Sequence, residues 1–183
     1  MREVPMKLLV TLLFLLCCAV AVGAEDHSQH QQGDGACDAF PWDMSRELDL
    51  LRAMPIAVNA LTMIDGEAMY SPLDRRLDLT LRPAADVKLL AEPGRSHGAD
   101  TYAGLLKLRL PRASTYRISS DQRLWIDVIG PDGVVKSTKF AMQPGCDKLH
   151  KSVAFRLEPD IDYWIQISGG PTPNPILLIT LDR

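Results

Sequence analysis

The chain has 183 residues, with 20 lysine or arginine and 23 aspartate or glutamate side chains, and a net charge of −3 at pH 7. A mildly acidic protein has no general electrostatic attraction for nucleic acid or for anionic lipid, so neither is expected as a partner. The sequence contains no phosphate-binding P-loop, no dinucleotide-binding GxGxxG motif and no zinc-finger spacing. These observations argue against nucleotide-dependent and zinc-finger functions.

The first 24 residues have the pattern of a Sec-type signal peptide. Lys7 precedes the apolar run LLVTLLFLLCCAVAV, which suits a secretory signal and is shorter than the roughly 20 residues of a membrane span. Val22-Gly23-Ala24 places small residues where signal peptidase reads them, so cleavage before Glu25 is predicted. The protein is then expected in the periplasm or outside the cell, with no membrane anchor after cleavage. An uncleaved N-terminal anchor is the alternative.

Cleavage after Ala24 would leave a flexible lead over residues 25–39, which is rich in Gln, Gly, Asp and His. The new N-terminus would read Glu25-Asp26-His27. A free amine, two backbone amides and a third-position imidazole can hold Cu(II) or Ni(II) in a square plane, with His30 as an extra ligand. The sequence therefore predicts a copper or nickel site in the lead, and a histidine-containing spacer is the alternative.

Residues 40–75 are predicted to form a helical preface to the main domain. Met44, Leu48 and Leu51 recur at helical spacing, and Pro55 ends the helix. This apolar stripe has to be buried against the rest of the protein.

From residue 76 onward the apolar residues recur at every second position, as they do in half-buried β-strands. Turn sequences rich in Gly and Pro separate these runs, and no helix-length segment lies between them. The fold is therefore predicted to be mainly β, an antiparallel β-sandwich or jelly roll over residues 76–183 with one short N-terminal helix. The alternating runs are RLDLTL, LLKLRL, YRIS, LWIDVI, VAFRL, YWIQIS and ILLITL.

Two cysteines, Cys37 and Cys146, remain after the predicted cleavage. An even pair in an oxidising compartment favours a disulfide. The alternative is a reactive Cys146 whose thiolate is stabilised by His150. A free thiol is hard to maintain in such a compartment when a second cysteine is present, so the disulfide is the prediction.

Three segments carry a family pattern: TYAGLLKLRLPRASTYRISS, LWIDVIGPDGVV and VAFRLEPDIDYWIQISG. They contain a tyrosine-led strand, a strand that runs into a D-G turn, and a late strand with alternating apolar residues. In these features residues 100–181 resemble the bacterial pre-peptidase C-terminal type of β-sandwich. The resemblance implies a secreted, usually non-catalytic module that accompanies other domains.

The chain also resembles a group of small exported bacterial proteins, some of which carry a homogentisate dioxygenase label. That label implies a non-haem iron centre, which typically has two histidines and one carboxylate as ligands. His97 and His150, with Asp147 or Asp100 as the carboxylate, are the residues that would have to converge. No H-x-D/E pair occurs in the sequence, so a metal-dependent oxygenase is kept as the alternative function.

Strand alternation places Trp125, Trp164 and Gln166 on the side of their strands opposite the predicted core. Arg109 and Arg117 likewise lie opposite apolar partners. If these sides belong to one sheet face, the indole rings and cationic groups would suit a sugar ring or an acidic polymer. The alternative, which the apolar stripe of the helix favours, is that the helix covers the tryptophans as a second core layer.

Together these features predict an exported, non-catalytic binding or accessory protein. Its ligand would be Cu(II) or Ni(II) at the N-terminus, or a carbohydrate or polymer on the tryptophan-bearing face. Its partner would be an envelope polymer or another protein. The pattern favours binding over catalysis without deciding between them.

Overall fold

The structure is a computed structural model that describes residues 36–95 and 97–182. Within these ranges no helix is long and apolar enough to cross a membrane. The predicted signal peptide lies outside the described residues, and so do the predicted metal ligands Glu25, Asp26, His27 and His30.

Two β-sheets face each other and form a sandwich, which confirms the predicted mainly β fold. The strands are β1 (Ile56–Asn59), β2 (Arg76–Thr80), β3 (Arg82–Pro83), β4 (Tyr102–Leu108), β5 (Ser114–Ser120), β6 (Trp125–Gly130), β7 (Gly133–Val135), β8 (Ser137–Met142), β9 (Lys151–Leu157), β10 (Tyr163–Gly170) and β11 (Ile176–Leu181). One sheet has the order β1-β2-β11-β5-β9-β8, and the other has the order β3-β4-β10-β6-β7. Only β1 and β2 pair in parallel among these strands.

Each alternating run of the sequence forms a strand, whereas β1, β3, β7 and β8 were not predicted. The unpredicted strands are short or mostly exposed, so their side chains carry little of the alternation that burial of one face imposes. Strand β1 lies inside the predicted helical preface and pairs with β2 in the six-stranded sheet. The sandwich therefore begins before residue 76.

The main core fills the space between the two sheets, where the inward side chains of both sheets meet. The alternation in β10 directs Tyr163, Ile165 and Ile167 into this core. The largest buried side chains of the core are Tyr116, Phe155, Leu77, Leu79, Leu108, Leu110, Ile118 and Leu157, together with Ile165 and Ile167. The two sheets are thus held together by apolar burial.

Helix α1 (Ser45–Leu51) packs on the outer face of the six-stranded sheet. Met44 and Leu48 belong to one apolar cluster with Leu178 of β11 and Ala141 of β8. Both tryptophans of the predicted ligand face, Trp125 and Trp164, belong to the other sheet. The prediction that α1 covers the tryptophans is therefore wrong, because its apolar stripe is buried on the opposite side of the sandwich.

A buried ion pair between α1 and β5 fixes the position of the helix. Arg117 Nε lies 3.1 Å from Glu47 Oε1, and the two side chains are 6% and 0% exposed. Thr180 Oγ1 donates to the same carboxylate at 2.5 Å, and Arg117 Nη1 donates to the carbonyl oxygen of Asp43 at 2.9 Å. Removing one partner of such a pair leaves an uncompensated charge in the interior. The helix cannot shift on the sheet without breaking these contacts.

The predicted disulfide between Cys37 and Cys146 is present. Both cysteines are buried in the same apolar cluster as Met44 and Leu48. The bond joins the segment before α1 to the turn between β8 and β9, across a sequence separation of 109. A cross-link of this span restricts the unfolded chain strongly.

We expect Arg117→Met to destabilise the protein by about 3–5 kcal/mol, because Glu47 would remain buried without its cation. The free energy of unfolding in urea measures the effect. The double variant Glu47→Met/Arg117→Met should be more stable than Arg117→Met alone, since no charge is left unpaired. Arg52→Met is the control, because Arg52 pairs with Asp49 at the surface, where a pair contributes less than about 1 kcal/mol. An equal loss in Arg52→Met and Arg117→Met would contradict the assigned role of the buried pair.

We expect the double variant Cys37→Ser/Cys146→Ser to lose about 4–5 kcal/mol of stability by the chain-entropy estimate for a loop of this length. The variant and the oxidised wild-type protein should be compared by urea unfolding, with the reduced wild-type protein as a second comparison. Reduced wild-type protein that unfolds at the same urea concentration as the oxidised protein would contradict this expectation.

Candidate functional site

A cleft opens between the two sheets on the side where β7 and β8 form the sheet edges. Strand β7 pairs only with residues 128–130 of β6, so no strand of the described residues lies beside Trp125, Ile126 and Asp127 on that side. Lys136 alone joins β7 to β8, where the chain crosses from one sheet to the other. The resulting cavity has a volume of about 930 Å³, within the usual range for small-molecule sites.

The body of the cleft is apolar and continuous with the main core. Ile126, Val153 and Phe155 line it from the inner faces of β6 and β9, and all three are buried members of the core cluster. At the entrance Val134, Phe140 and Met142 are exposed. Phe140 is 67% exposed.

One end of the cleft is polar, and Lys151 is its central residue. Lys151 begins β9 and is 7% exposed. Its Nζ donates to the carbonyl oxygen of Leu124 at 3.2 Å and lies 4.7 Å from the centroid of the Trp125 ring. Lys151 therefore crosses from the six-stranded sheet to the start of β6. Burial lowers the pKa of Lys151, and attraction to Asp127 opposes the shift.

Asp127 lies beside this end, on the outer face of the five-stranded sheet. Its Oδ1 accepts a hydrogen bond from Trp125 Nε1 at 2.8 Å, and its Oδ2 accepts one from Gln166 Nε2 at 3.3 Å. Burial raises the pKa of Asp127, whereas these two hydrogen bonds and the charge of Lys151 act in the opposite direction. Both carboxylate oxygens are thus engaged by neutral donors.

His97 is the third titratable group at the polar end. Its ring lies 6.5 Å from the Trp125 ring, measured between centroids, and rests against Gly169, whose φ of 64° suits a glycine. A side chain at Gly169 would collide with the imidazole. His97 Nε2 is buried without a hydrogen-bond partner. Burial, followed by repulsion from Arg95, lowers the pKa of His97.

The structure places the predicted tryptophan face under a covering segment. Trp164 packs in one cluster with Leu89 and Leu90. The backbone of Gly94 lies so close to Trp125 that a Cβ there would be 2.7 Å from the indole ring. Residues 84–94 therefore cover part of both tryptophans, which are half-buried. Covering the tryptophans was the role predicted for α1.

Gln166 holds this covering segment in place. It is fully buried, and its Oε1 accepts hydrogen bonds from Leu90 N at 2.7 Å and Ala91 N at 3.2 Å. Its Nε2 donates to the carbonyl oxygen of Ala91 at 3.0 Å. The side chain of Gln166 thus holds the backbone of Leu90 and Ala91 against β10.

The two arginines of the predicted face are divided between the sheets, and only Arg109 lies on the same side of the same sheet as Trp164. Arg117 belongs to β5 of the six-stranded sheet and pairs with Glu47, which corrects the expectation of a single face. Arg109 follows β4, where its Nη2 lies 2.5 Å from Asp162 and its guanidinium stacks on Tyr70. Alternation gives the side of a strand but does not tell which sheet the strand joins.

The predicted iron ligands are also separated into different settings. Among the His, Cys, Asp and Glu side chains of the described residues, one set of three lies close enough together to share a metal ion: Cys37, Cys146 and Asp147. Both cysteines are in the disulfide, so neither offers a thiolate. His97 and Asp100 line the cleft, whereas His150 does not. The described residues thus do not assemble His97, His150 and a carboxylate as a group of metal ligands.

Sequence reasoning missed Lys151 as a site residue. The alternation in VAFRL begins two residues after Lys151, and extending it back places Lys151 on the inner side of β9 with Val153 and Phe155. A lysine at an inward position was the available signal, because a charged residue is rarely buried without a reason.

We expect the stability difference between wild-type protein and Lys151→Met to change with pH. The folded-state pKa of Lys151 is lowered, so between that pKa and the ordinary value of 10.5 the unfolded chain binds more protons than the folded protein. The free energy of unfolding of the wild type should therefore rise relative to the variant as the pH rises through that window. Lys136→Met, at an exposed position of the same cleft, is the control for the loss of a positive charge. A constant difference for Lys151→Met would refute the expectation.

Comparison with known proteins gives no family assignment. No family model matches the chain, and no curated protein is similar to it. The function of the cleft is therefore argued from the residues that form it.

Proposed function

We propose that this chain is an exported binding protein that takes up a small apolar molecule in the cleft between its sheets. The observation that carries the proposal is a cavity of about 930 Å³ whose body is apolar and whose entrance exposes Val134, Phe140 and Met142. Ligand sites typically combine such an apolar body with a few polar groups at one place. The signal-peptide pattern of residues 1–24 supports export.

The position of the cleft favours a small molecule over a carbohydrate polymer. The cavity reaches core side chains such as Ile126, Val153 and Phe155 between the sheets. A polymer needs an open surface along which its units can lie, and residues 84–94 cover part of the tryptophan side chains that would stack on sugars. A compact apolar ligand can instead enter the sandwich from the edge.

The polar groups support binding more directly than catalysis. Asp127 is hydrogen-bonded through both carboxylate oxygens, and the His97 ring rests against Gly169. A nucleophile and its base would have to lie within hydrogen-bond reach of each other. Within the described residues, no hydrogen bond joins Lys151, His97 and Asp127 to one another.

We expect the neutral fluorescent probe N-phenylnaphthylamine to bind the protein in a saturable manner, and Phe140→Ser/Met142→Ser to weaken that binding about tenfold. Both side chains are exposed at the entrance, so their loss removes apolar contact area for the probe with little effect on folding. Fluorescence titration measures the dissociation constant, and circular dichroism verifies the fold.

Met69→Ser is the matched control, because Met69 is 90% exposed and does not line the cleft. This variant should bind the probe as the wild type does. Absence of saturable binding to the wild type, or equal weakening in Met69→Ser, would overturn the proposed function.

A further inference from the structure

We propose that the polar end of the cleft selects ligands that carry a carboxylate, which pairs with the ammonium group of Lys151. The inference rests on the proposed binding function and names the class of ligand: an apolar body with a single carboxylate at one end.

Lys151 is a buried cation with an incomplete set of partners. An ammonium group has three N–H donors. One donates to the carbonyl oxygen of Leu124, and the group lies over the ring of Trp125. Both partners are neutral, and no carboxylate of the described residues forms an ion pair with Nζ. A buried charge without a counter-ion is costly, so a ligand that supplies one gains the pairing energy.

The charge of Asp127 acts on Lys151, but no hydrogen bond or ion pair joins the two side chains. The two oxygens of Asp127 are held by Trp125 and Gln166 on the outer face of the five-stranded sheet. Lys151 approaches from the space between the sheets, because its strand neighbours Val153 and Phe155 point into the core. The charge of Lys151 is thus influenced by Asp127 at a distance, and the position next to Nζ is left to a ligand.

The charges around the cleft favour an anion over a cation. Arg95, Arg123 and Lys136 line it at exposed positions, against the single exposed carboxylate of Asp100. A basic rim raises the local concentration of anions and speeds their association. Among the described residues that line the cleft and its rim, Lys151 is the one buried cation. One buried positive charge matches the single negative charge of a carboxylate better than the higher charge of a phosphate group.

The arrangement also sets the orientation of the ligand. The carboxylate would lie at the Lys151 end, and the apolar body would extend along Ile126, Val153 and Phe155 towards Phe140 at the entrance. Decanoate and decanol have the same chain length and differ in the head group, so their comparison isolates the contribution of the charge.

The experiment measures displacement of N-phenylnaphthylamine by decanoate and by decanol at pH 7. We expect decanoate to bind about tenfold more tightly than decanol, the gain typical of a charge-assisted hydrogen bond. In Lys151→Met this preference should disappear while decanol affinity is retained. Lys151→Arg, which keeps the positive charge, should preserve most of the preference, and Lys136→Met, at an exposed position of the same cleft, should leave it unchanged.

The outcomes separate this inference from the proposed function. Equal affinities for decanoate and decanol, or a preference for decanoate that survives in Lys151→Met, would overturn the role of Lys151 and leave the binding function standing. Loss of the preference in Lys136→Met would also overturn the role of Lys151, because the preference for decanoate would then depend on the exposed charge of the rim. Failure of the probe itself to bind would overturn both proposals.

Discussion

Both sheets of this sandwich carry apolar side chains on their outer faces that must be covered, and much of the remaining structure follows from that constraint. Leu178 and Ala154 lie on the outer side of the six-stranded sheet, and Ala103 and Leu105 on that of the other. Two separate segments cover them, the N-terminal helix on one side and residues 84–94 on the other. A small domain gains stability by burying apolar area on every available face. The two segments therefore belong to the folding unit as fully as the strands do.

Each covering segment is fixed by one buried polar side chain of the sheet beneath it. Arg117 pairs with Glu47 of the helix, and Gln166 satisfies the backbone of Leu90 and Ala91. Apolar contacts alone tolerate sliding, whereas a buried charge or amide must keep its partners in place. The segment held by Gln166 covers part of the tryptophan-bearing face. The interior remains accessible at the β7–β8 edge, because β7 is too short to cover the start of β6.

The sequence predicted the strands and the disulfide far better than it predicted the site. Alternation is imposed locally by the burial of one face, so runs such as YWIQIS could be read without knowledge of their neighbours. The assignment of Arg117 and Trp164 to different sheets depends on pairing between distant strands, which alternation does not encode. The cleft forms because, in the described residues, β7 does not extend beside Trp125. The sequence has no pattern that predicts where a strand pairing ends. The spacing of Met44, Leu48 and Leu51 predicted the helix but not the sheet face that the helix covers. It covers the outer face of the sheet that contains Arg117, the partner of Glu47.

Lys151 matches no sequence motif, but its burial points to a role in binding. An inward-facing lysine on a central strand is destabilising unless the interior offers it a partner or a route to solvent. Here the carbonyl oxygen of Leu124 and the ring of Trp125 offset part of that cost, and the open edge of β6 gives access from outside. A leucine at this position would complete the core and close the polar end of the cleft. A cation at this position costs stability, and violations of this kind are expected at functional sites. The proposed carboxylate ligand accounts for Lys151.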